Sequence, residues 1–184
     1  MIYPIIAYGD PILKKPANEV DKNKEDLKQL VNDMFETMYN AHGIGLAAPQ
    51  IGVSLRIFIA DGSLLDDEKF HTFKKVFVNP TILKEEGEEW TYEEGCLSIP
   101  GVRADVMRQP KLKIHYYDTD WKEYTETYDG MAARIIQHEY DHIEGILFLD
   151  HISPMKKRLL KGKLTNISKG ITDAVYKMKF PVKK

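Results

Sequence analysis

Two histidines four residues apart, with a glutamate beside the first, are the residues best spaced for metal chemistry: His138-Glu139-Tyr140-Asp141-His142. On a helix, positions i and i+4 lie on one face, one turn apart. Two imidazoles placed so can bind one divalent ion. Glu139 adjoins a ligand, so its carboxylate can reach a water held by that ion, take its proton and pass it to a leaving group. The same pattern could also sit on a polar surface. Met131, Ile135 and Ile136 favour burial instead, and buried unpaired imidazoles are costly.

A catalytic ion of this kind takes three protein ligands and keeps one position open. One protease pattern, H-E-x-x-H-x-x-G-x-x-H, matches Gly145 but meets Phe148 where its last histidine must stand. A downstream glutamate ligand is also excluded, because no Glu follows Glu144. His151 is available at an unmatched spacing. The remaining soft donor is Cys96, in Glu94-Gly95-Cys96-Leu97-Ser98, where Gly95 frees the backbone to turn sharply. A lone cysteine is otherwise a small buried hydrophobe.

A third element is Gly43-Ile44-Gly45-Leu46-Ala47-Ala48-Pro49-Gln50. Its small residues let a ligand backbone approach closely. Ile44 and Leu46 can line an apolar pocket, and the Gln50 amide can stabilise a developing oxyanion. By itself such a loop is also the ordinary composition of a tight turn.

Elements must hold these groups in place. Leu27, Leu30, Val31, Met34, Phe35, Met38 and Tyr39 follow helical spacing, which predicts a helix from about Lys24 to Ala41 with Gly43 as its left-handed stop. Strands are expected at 55–60, 76–78, 81–83, 88–92, 102–108, 112–117 and 123–128, with 61–75 a polar loop insertion. Strands that follow one another without helices favour antiparallel or mixed sheets and an α+β class. A helix over 131–143, capped by Asp129 and ended by Gly145, carries the histidines. A last helix starts at Ser153-Pro154. Leu164, Ile167, Ile171 and Val175 keep its spacing, while Gly162 and Gly170 weaken it by about 1 kcal/mol each relative to Ala, so a break near Gly170 is expected.

Composition bounds the class. The 184 residues are 43% hydrophobic and 29% charged, which favours a globular chain over a disordered one. No apolar run approaches the roughly 20 residues of a membrane span, so no membrane partner is expected. The start, Met1-Ile2-Tyr3-Pro4-Ile5-Ile6, has no basic region and no small-residue cleavage site, and no signal peptide is read from it. One cysteine excludes an intrachain disulfide, which suits a reducing compartment. Residues 151–184 hold ten Lys/Arg against one acid, a net +9 beside −11 for the rest. A basic tail on an acidic body suggests a polyanionic partner, although lysines also serve simple solubility.

Together the three elements resemble the peptide deformylases, whose G-x-G-x-A-A-x-Q, E-G-C-x-S and H-E-x-D-H motifs occur in this order, the third on a helix. All three are complete here, Gln137 precedes the last, and Gly9-Asp10-Pro11-Ile12-Leu13 is similar to the family's N-terminal segment. The resemblance implies one catalytic domain over 1–184 that hydrolyses the formyl group from N-terminal formyl-methionine of new polypeptides. It implies antiparallel or mixed sheets packed around the metal-binding helix, with an N-terminal and a C-terminal helix. Cys96, His138 and His142 would be ligands, usually to Fe²⁺, with Zn²⁺, Ni²⁺ or Co²⁺ able to replace it. Glu139 would be the general base and then the general acid. Gln50 and the Leu97 N–H would hold the oxygen of the tetrahedral intermediate.

The resemblance also implies that Gly43, Ile44, Gly45, Tyr92, Met131, Arg134 and Ile135 bind the substrate. Gly45 would align it as an added strand, and Arg134 would send its head to water while its stem covers the site. Arg103 would meet the substrate's carboxyl side. Glu94 and Arg108 would pair and steady the cysteine loop. The basic C-terminal helix would dock on the ribosome, and truncation after Asp150 or Ser153 would weaken that binding while sparing short peptides. A monomeric, cytoplasmic enzyme is expected. Two other readings compete: a zinc endopeptidase, which the absent third ligands oppose, and a non-catalytic ribosome-binding protein with a structural zinc, which Gln50 and Glu139 oppose.

Overall fold

A computed structural model of the chain describes residues 1–23 and 26–181. The first helix, α1, spans Leu27–Asn40 and buries Leu27, Val31, Met34 and Met38 on one side. Its expected start at Lys24 lies outside the described residues. Asp26 caps it by accepting from the Gln29 N–H. The left-handed stop is His42, at φ 56°, and not Gly43. Gly43 serves by lacking a side chain, since a Cβ there would stand 2.8 Å from Leu97 Cδ1.

Five antiparallel strands form the main sheet, in the order β2 (Gly45–Ala47), β3 (Ile57–Asp61), β4 (Lys74–Glu86), β7 (Lys111–Tyr117) and β8 (Glu123–Asp129). The two short strands expected at 76–78 and 81–83 are one strand. Asn79-Pro80 reads as a break, but here it is a bulge, with the register shifting between Val78 and Thr81 and Asn79 at φ 46°. Asn79 holds the bend by bonding the Val20 backbone at both its oxygen and its nitrogen. The 61–75 segment is anchored by buried Phe70 and by Asp61, whose carboxylate accepts from Tyr39 O–H at 2.5 Å and Ser63 N–H at 2.8 Å.

A separate hairpin pairs β5 (Trp90–Cys96) with β6 (Ile99–Arg108), shifting register between Gly95 and Cys96. Against the main sheet lies α2 (Gly130–Ile143), which presses Ala133, Ile136 and Ile143 into an aromatic cluster with Phe58, Phe77 and Tyr116. Asp129 occupies its N-cap position, but the carboxylate makes no capping bond. Gly145, at φ 73°, follows its end. The architecture is α+β, with antiparallel sheets, one parallel pair and three α-helices among the described residues.

The C-terminal end departs furthest from the sequence reading. Helix α3 spans Pro154–Ser168, capped by Ser153, and stops before Gly170 at φ 83°. Ile171 and Val175 do not continue it. From Thr172 to Phe180 the chain alternates instead, with Ala174, Tyr176, Met178 and Phe180 half-buried and Val175, Lys177 and Lys179 exposed, the period-2 signature of a strand. Its strand, β9 (Met178–Lys179), pairs in parallel with β1 (Ile5–Ile6). Leu164 and Ile167 of α3 are buried with Leu13, Phe148 and Leu149. A cut after Asp150 or Ser153 therefore removes packed core, and the expected sparing of activity does not follow from this fold.

Candidate metal centre

The motif-bearing segments converge on one cleft of about 750 Å³. Cys96, at the end of β5, and His138 and His142, on one face of α2, place their donor atoms within 4.8 Å of one another. His142 Nε2 lies 3.3 Å from Cys96 Sγ. His138 Nδ1 lies 2.9 Å from Glu94 Oε2. Because a carboxylate oxygen accepts, Nδ1 carries the hydrogen and Nε2 is left for an ion, the usual orientation of a ligating histidine. Burial, the largest influence, lowers His142 well below the ordinary imidazole range, in the direction of the neutral form that a ligand needs.

These donors fit a metal. One thiolate and two imidazoles bonding at about 2.0–2.3 Å can share a single ion at such spacing. A further atom points the same way: buried Glu139 Oε2 finds no hydrogen-bond partner among the described residues. Burial, the largest influence, pushes Glu139 up to about 7. An unpartnered carboxyl raised toward neutrality beside three donor groups is suited to moving protons. Room for it comes from Gly45, where any Cβ would collide with the Glu139 carboxylate, its Cδ lying 2.8 Å away.

Gln50 is 2% exposed and held at both ends of its amide. Its oxygen accepts from the Ala47 N–H at 2.9 Å, and its nitrogen faces Cys96 Sγ at 3.5 Å and Ser98 Oγ at 3.3 Å. This anchoring settles which end of the amide faces the metal donors. The Leu97 carbonyl accepts from the Tyr176 hydroxyl at 2.7 Å.

Glu94 is the hub behind the donors. Besides His138, it accepts from Arg108 Nε at 2.7 Å and Nη2 at 3.1 Å, and from Arg134 Nη1 at 2.7 Å. Its burial raises the carboxyl, but hydrogen bonds from His138 and Arg108 outweigh that and hold it well below the ordinary range. Arg108 also donates to Asp141 at 2.9 Å. His151, the unmatched histidine, bonds Asp141 at 2.7 Å and stands outside the donor group.

Arg134 lines the cleft but does not send its head to water. It is 2% exposed, because its guanidinium meets Glu94 and donates to the Trp90 and Val106 carbonyls at 2.7 and 3.1 Å. Trp90 covers it at 4.2 Å. A buried acid and two carbonyls replace the water that the expected excursion would have sought. Ile44, Tyr92, Met131 and Ile135 line the same cleft. Arg103 lies at its rim, already paired with Glu93 at 2.8 Å. One lining stretch escaped the sequence reading altogether: residues 171–176, including Tyr176. The alternation of Ala174, Tyr176, Met178 and Phe180 was the available signal.

A family model described as polypeptide deformylase matches residues 2–158. A peptide deformylase of Cytophaga hutchinsonii is 65% identical over 184 residues, the full length of each chain. The crystal structure of a peptide deformylase from Legionella pneumophila is 41% identical, with a TM-score of 0.81 over 92% of this chain and 96% of that one. A Met-Ala-Ser-bound peptide deformylase from Acinetobacter baumannii is 35% identical, with a TM-score of 0.76 over 83% and 99%.

Proposed function

Because this chain belongs to the polypeptide deformylase family, a metal-dependent hydrolase that removes the N-formyl group from formyl-methionine of nascent polypeptides, we propose that Cys96, His138 and His142 hold its metal and Glu139 moves its protons. The observation that carries this reading is the convergence of three donors within 4.8 Å beside a buried, unpartnered carboxyl. Fe²⁺ is proposed as the native ion; a cysteine with two histidines also suits zinc, nickel or cobalt. When bound, the ion supplies Lewis-acid polarisation and a nucleophile at neutral pH.

The protein's own groups do the rest. Glu139 takes the proton of the attacking water as the bond to the formyl carbon forms. It then delivers that proton to the nitrogen of the departing amine, leaving formate and a free N-terminus. Gln50 Nε2 and the Leu97 N–H stabilise the oxygen that becomes negative. Gln50 is fixed before substrate arrives, so little reorganisation is needed when charge develops. Gly43 and Gly45 align the substrate backbone, and Ile44, Tyr92, Met131 and Ile135 surround the methionine side chain. Arg134 closes that pocket from beneath through its bonds to Glu94 and Trp90. That the Acinetobacter relative binds Met-Ala-Ser supports a methionyl peptide as the ligand of this protein. Arg103 would have to leave Glu93 to reach the carboxyl side of a substrate. The whole of 1–184 acts as one catalytic unit.

Formate release from a formyl-Met tripeptide and metal content, measured on the same anaerobic sample, test this reading. Wild type should contain one ion and release formate, and chelation should abolish release reversibly. Cys96→Ala should lose both metal and activity. A Cys96→Ala protein that kept both would refute the ligand set.

Ribosome docking is proposed for the exposed cations of α3. Among the described residues no helix is long and apolar enough to cross a membrane. Truncation is the wrong test, since it strips buried Leu164 and Ile167. The triple variant Lys156→Glu, Arg158→Glu, Lys161→Glu changes exposed residues alone. It should bind ribosomes more weakly at moderate salt, because fewer cations neutralise phosphates, while tripeptide turnover stays at the wild-type value. Unchanged sedimentation with ribosomes would remove the docking role. The protein is proposed to be monomeric and cytoplasmic.

A further inference from the structure

The loop that carries both a metal donor and a proposed oxyanion donor, Cys96-Leu97-Ser98, is tied down from behind by the two ends of the chain. Tyr8 N–H donates to the Ser98 carbonyl at 2.8 Å. Tyr8 lies two residues beyond β1, which β9 holds through bonds from Ile5 N–H to the Lys177 carbonyl at 2.9 Å and from Ala7 N–H to the Lys179 carbonyl at 2.8 Å. Tyr176, just before β9, donates its hydroxyl to the Leu97 carbonyl at 2.7 Å. Tyr176 and Leu97 both pack against the cluster that holds Met34, Met38 and Leu46. The phenol keeps its proton at neutral pH, since burial, and then the charge of Cys96, push it up to about 12.

We propose that Tyr176 is a positioning residue for the reaction: by holding the Leu97 carbonyl, its hydroxyl pins the Leu97–Ser98 peptide plane and, with Cys96 anchored on the other side of the Leu97 Cα, restrains the rotation that would turn the Leu97 N–H away from the cleft. The inference rests on the oxyanion role given to Leu97 above. Leu97 is half-buried beside a sharp register shift, where a backbone can rotate its peptide planes. Cys96 restrains the residue before it through its side chain, and Gln50 restrains Ser98 after it through the hydroxyl at 3.3 Å. Neither touches the Leu97 carbonyl. Tyr176 closes that gap, and productive donors must be held within about 0.5 Å and 10–20° of their working geometry. Tyr176 also lies beyond the stretch matched by the family model, which ends at residue 158.

The test is Tyr176→Phe in the full-length, metal-loaded enzyme, which keeps the ring and deletes only the hydroxyl. Losing an oxyanion donor outright costs about 10²–10³ in kcat; loosening one should lower kcat roughly ten-fold, with KM for a formyl-Met tripeptide unchanged. Affinity for a tetrahedral phosphonate analogue of the formyl group should fall by the same factor as kcat/KM. Affinity for the product methionyl peptide, metal content and melting temperature should stay at wild-type values. A wild-type kcat would overturn the proposal. So would a loss of kcat that tracked metal content, or one accompanied by an equal loss of product affinity, since either marks a merely structural contact. Gln50→Ala separates the inference from the reading beneath it. If Gln50→Ala and Tyr176→Phe both bind the phosphonate as tightly as wild type, the oxyanion reading falls and takes the tether with it. If Gln50→Ala is weakened and Tyr176→Phe is not, only the tether falls.

Discussion

Glu139→Ala, fully loaded with metal and given a formyl-Met tripeptide, should release formate about 10²–10⁴ times more slowly than wild type. Metal content should not change, because Glu139 lies outside the group of three donors. The loss should fall on kcat, since this carboxyl transfers protons and does not line the methionine pocket. Metal analysis and steady-state kinetics on one preparation check the claim. A metal-loaded variant within a few-fold of wild type would leave the proton transfer without an owner.

The same residue should show its cost in the fold. Glu139 is 5% exposed, and its Oε2 has no hydrogen-bond partner among the described residues. Its folded value, about 7, stands above that of an exposed glutamate. Between the two values the native state binds more protons than the unfolded one, so stability falls as pH rises through that window. Ionising this group thus opposes folding of the metal-free protein above neutral pH, while a bound cation would favour the carboxylate and relieve the conflict. The proton-transfer role and the destabilisation share one cause, a carboxyl kept dry beside the donors.

What the sequence disclosed divides along the range of the interactions. His138 and His142 were legible because both lie on one helix, where spacing alone fixes their relative position. α1 was legible from Leu27, Val31, Met34 and Met38 for the same reason. Cys96 was reachable only by eliminating other donors, because its approach depends on how the β5–β6 hairpin packs against α2. Arg134 was misread in its head-group: composition shows a cation in an apolar setting, but not the Glu94 carboxylate and two carbonyls waiting for it. Gly43 was misread as a cap because its bare Cα serves a tertiary contact with Leu97, which local rules do not contain. The stop of the last helix near Gly170 was legible from that glycine, but the stretch beyond it was not, because Ile171 and Val175 extend a helical spacing while Ala174, Tyr176, Met178 and Phe180 satisfy a strand. Pairing with β1, more than 160 residues earlier, decides between them, so Tyr176 could not be placed beside Leu97 from local pattern.

Glu94→Ala should be the most damaging single change outside the reacting groups. Glu94 is 6% exposed and accepts from Arg108, Arg134 and His138. Deleting it leaves two buried guanidiniums short of their counter-charge, a loss of about 3–5 kcal/mol when one partner of a buried pair is removed. That is a large share of the roughly 5–15 kcal/mol that holds a typical domain together. Arg108 keeps Asp141, and Arg134 keeps the Trp90 and Val106 carbonyls, so the network is wounded and not erased. His138 also loses the acceptor that orients its ring, and removing such a partner typically weakens metal binding about 10–100-fold. Glu94→Gln separates the effects. It keeps an acceptor for His138 but no charge for the arginines, so it should recover much of the metal affinity and less of the stability. The pH dependence gives an independent check. The folded carboxyl lies below its unfolded value, so its contribution is present in full above the ordinary glutamate range and lost as pH falls through the lower folded value. Melting curves from neutral pH downward should therefore converge between wild type and Glu94→Gln only under strongly acid conditions. Equal melting temperatures for the two proteins at neutral pH would mean that the arginines do not need this charge, and the hub would be a hydrogen-bonding device alone.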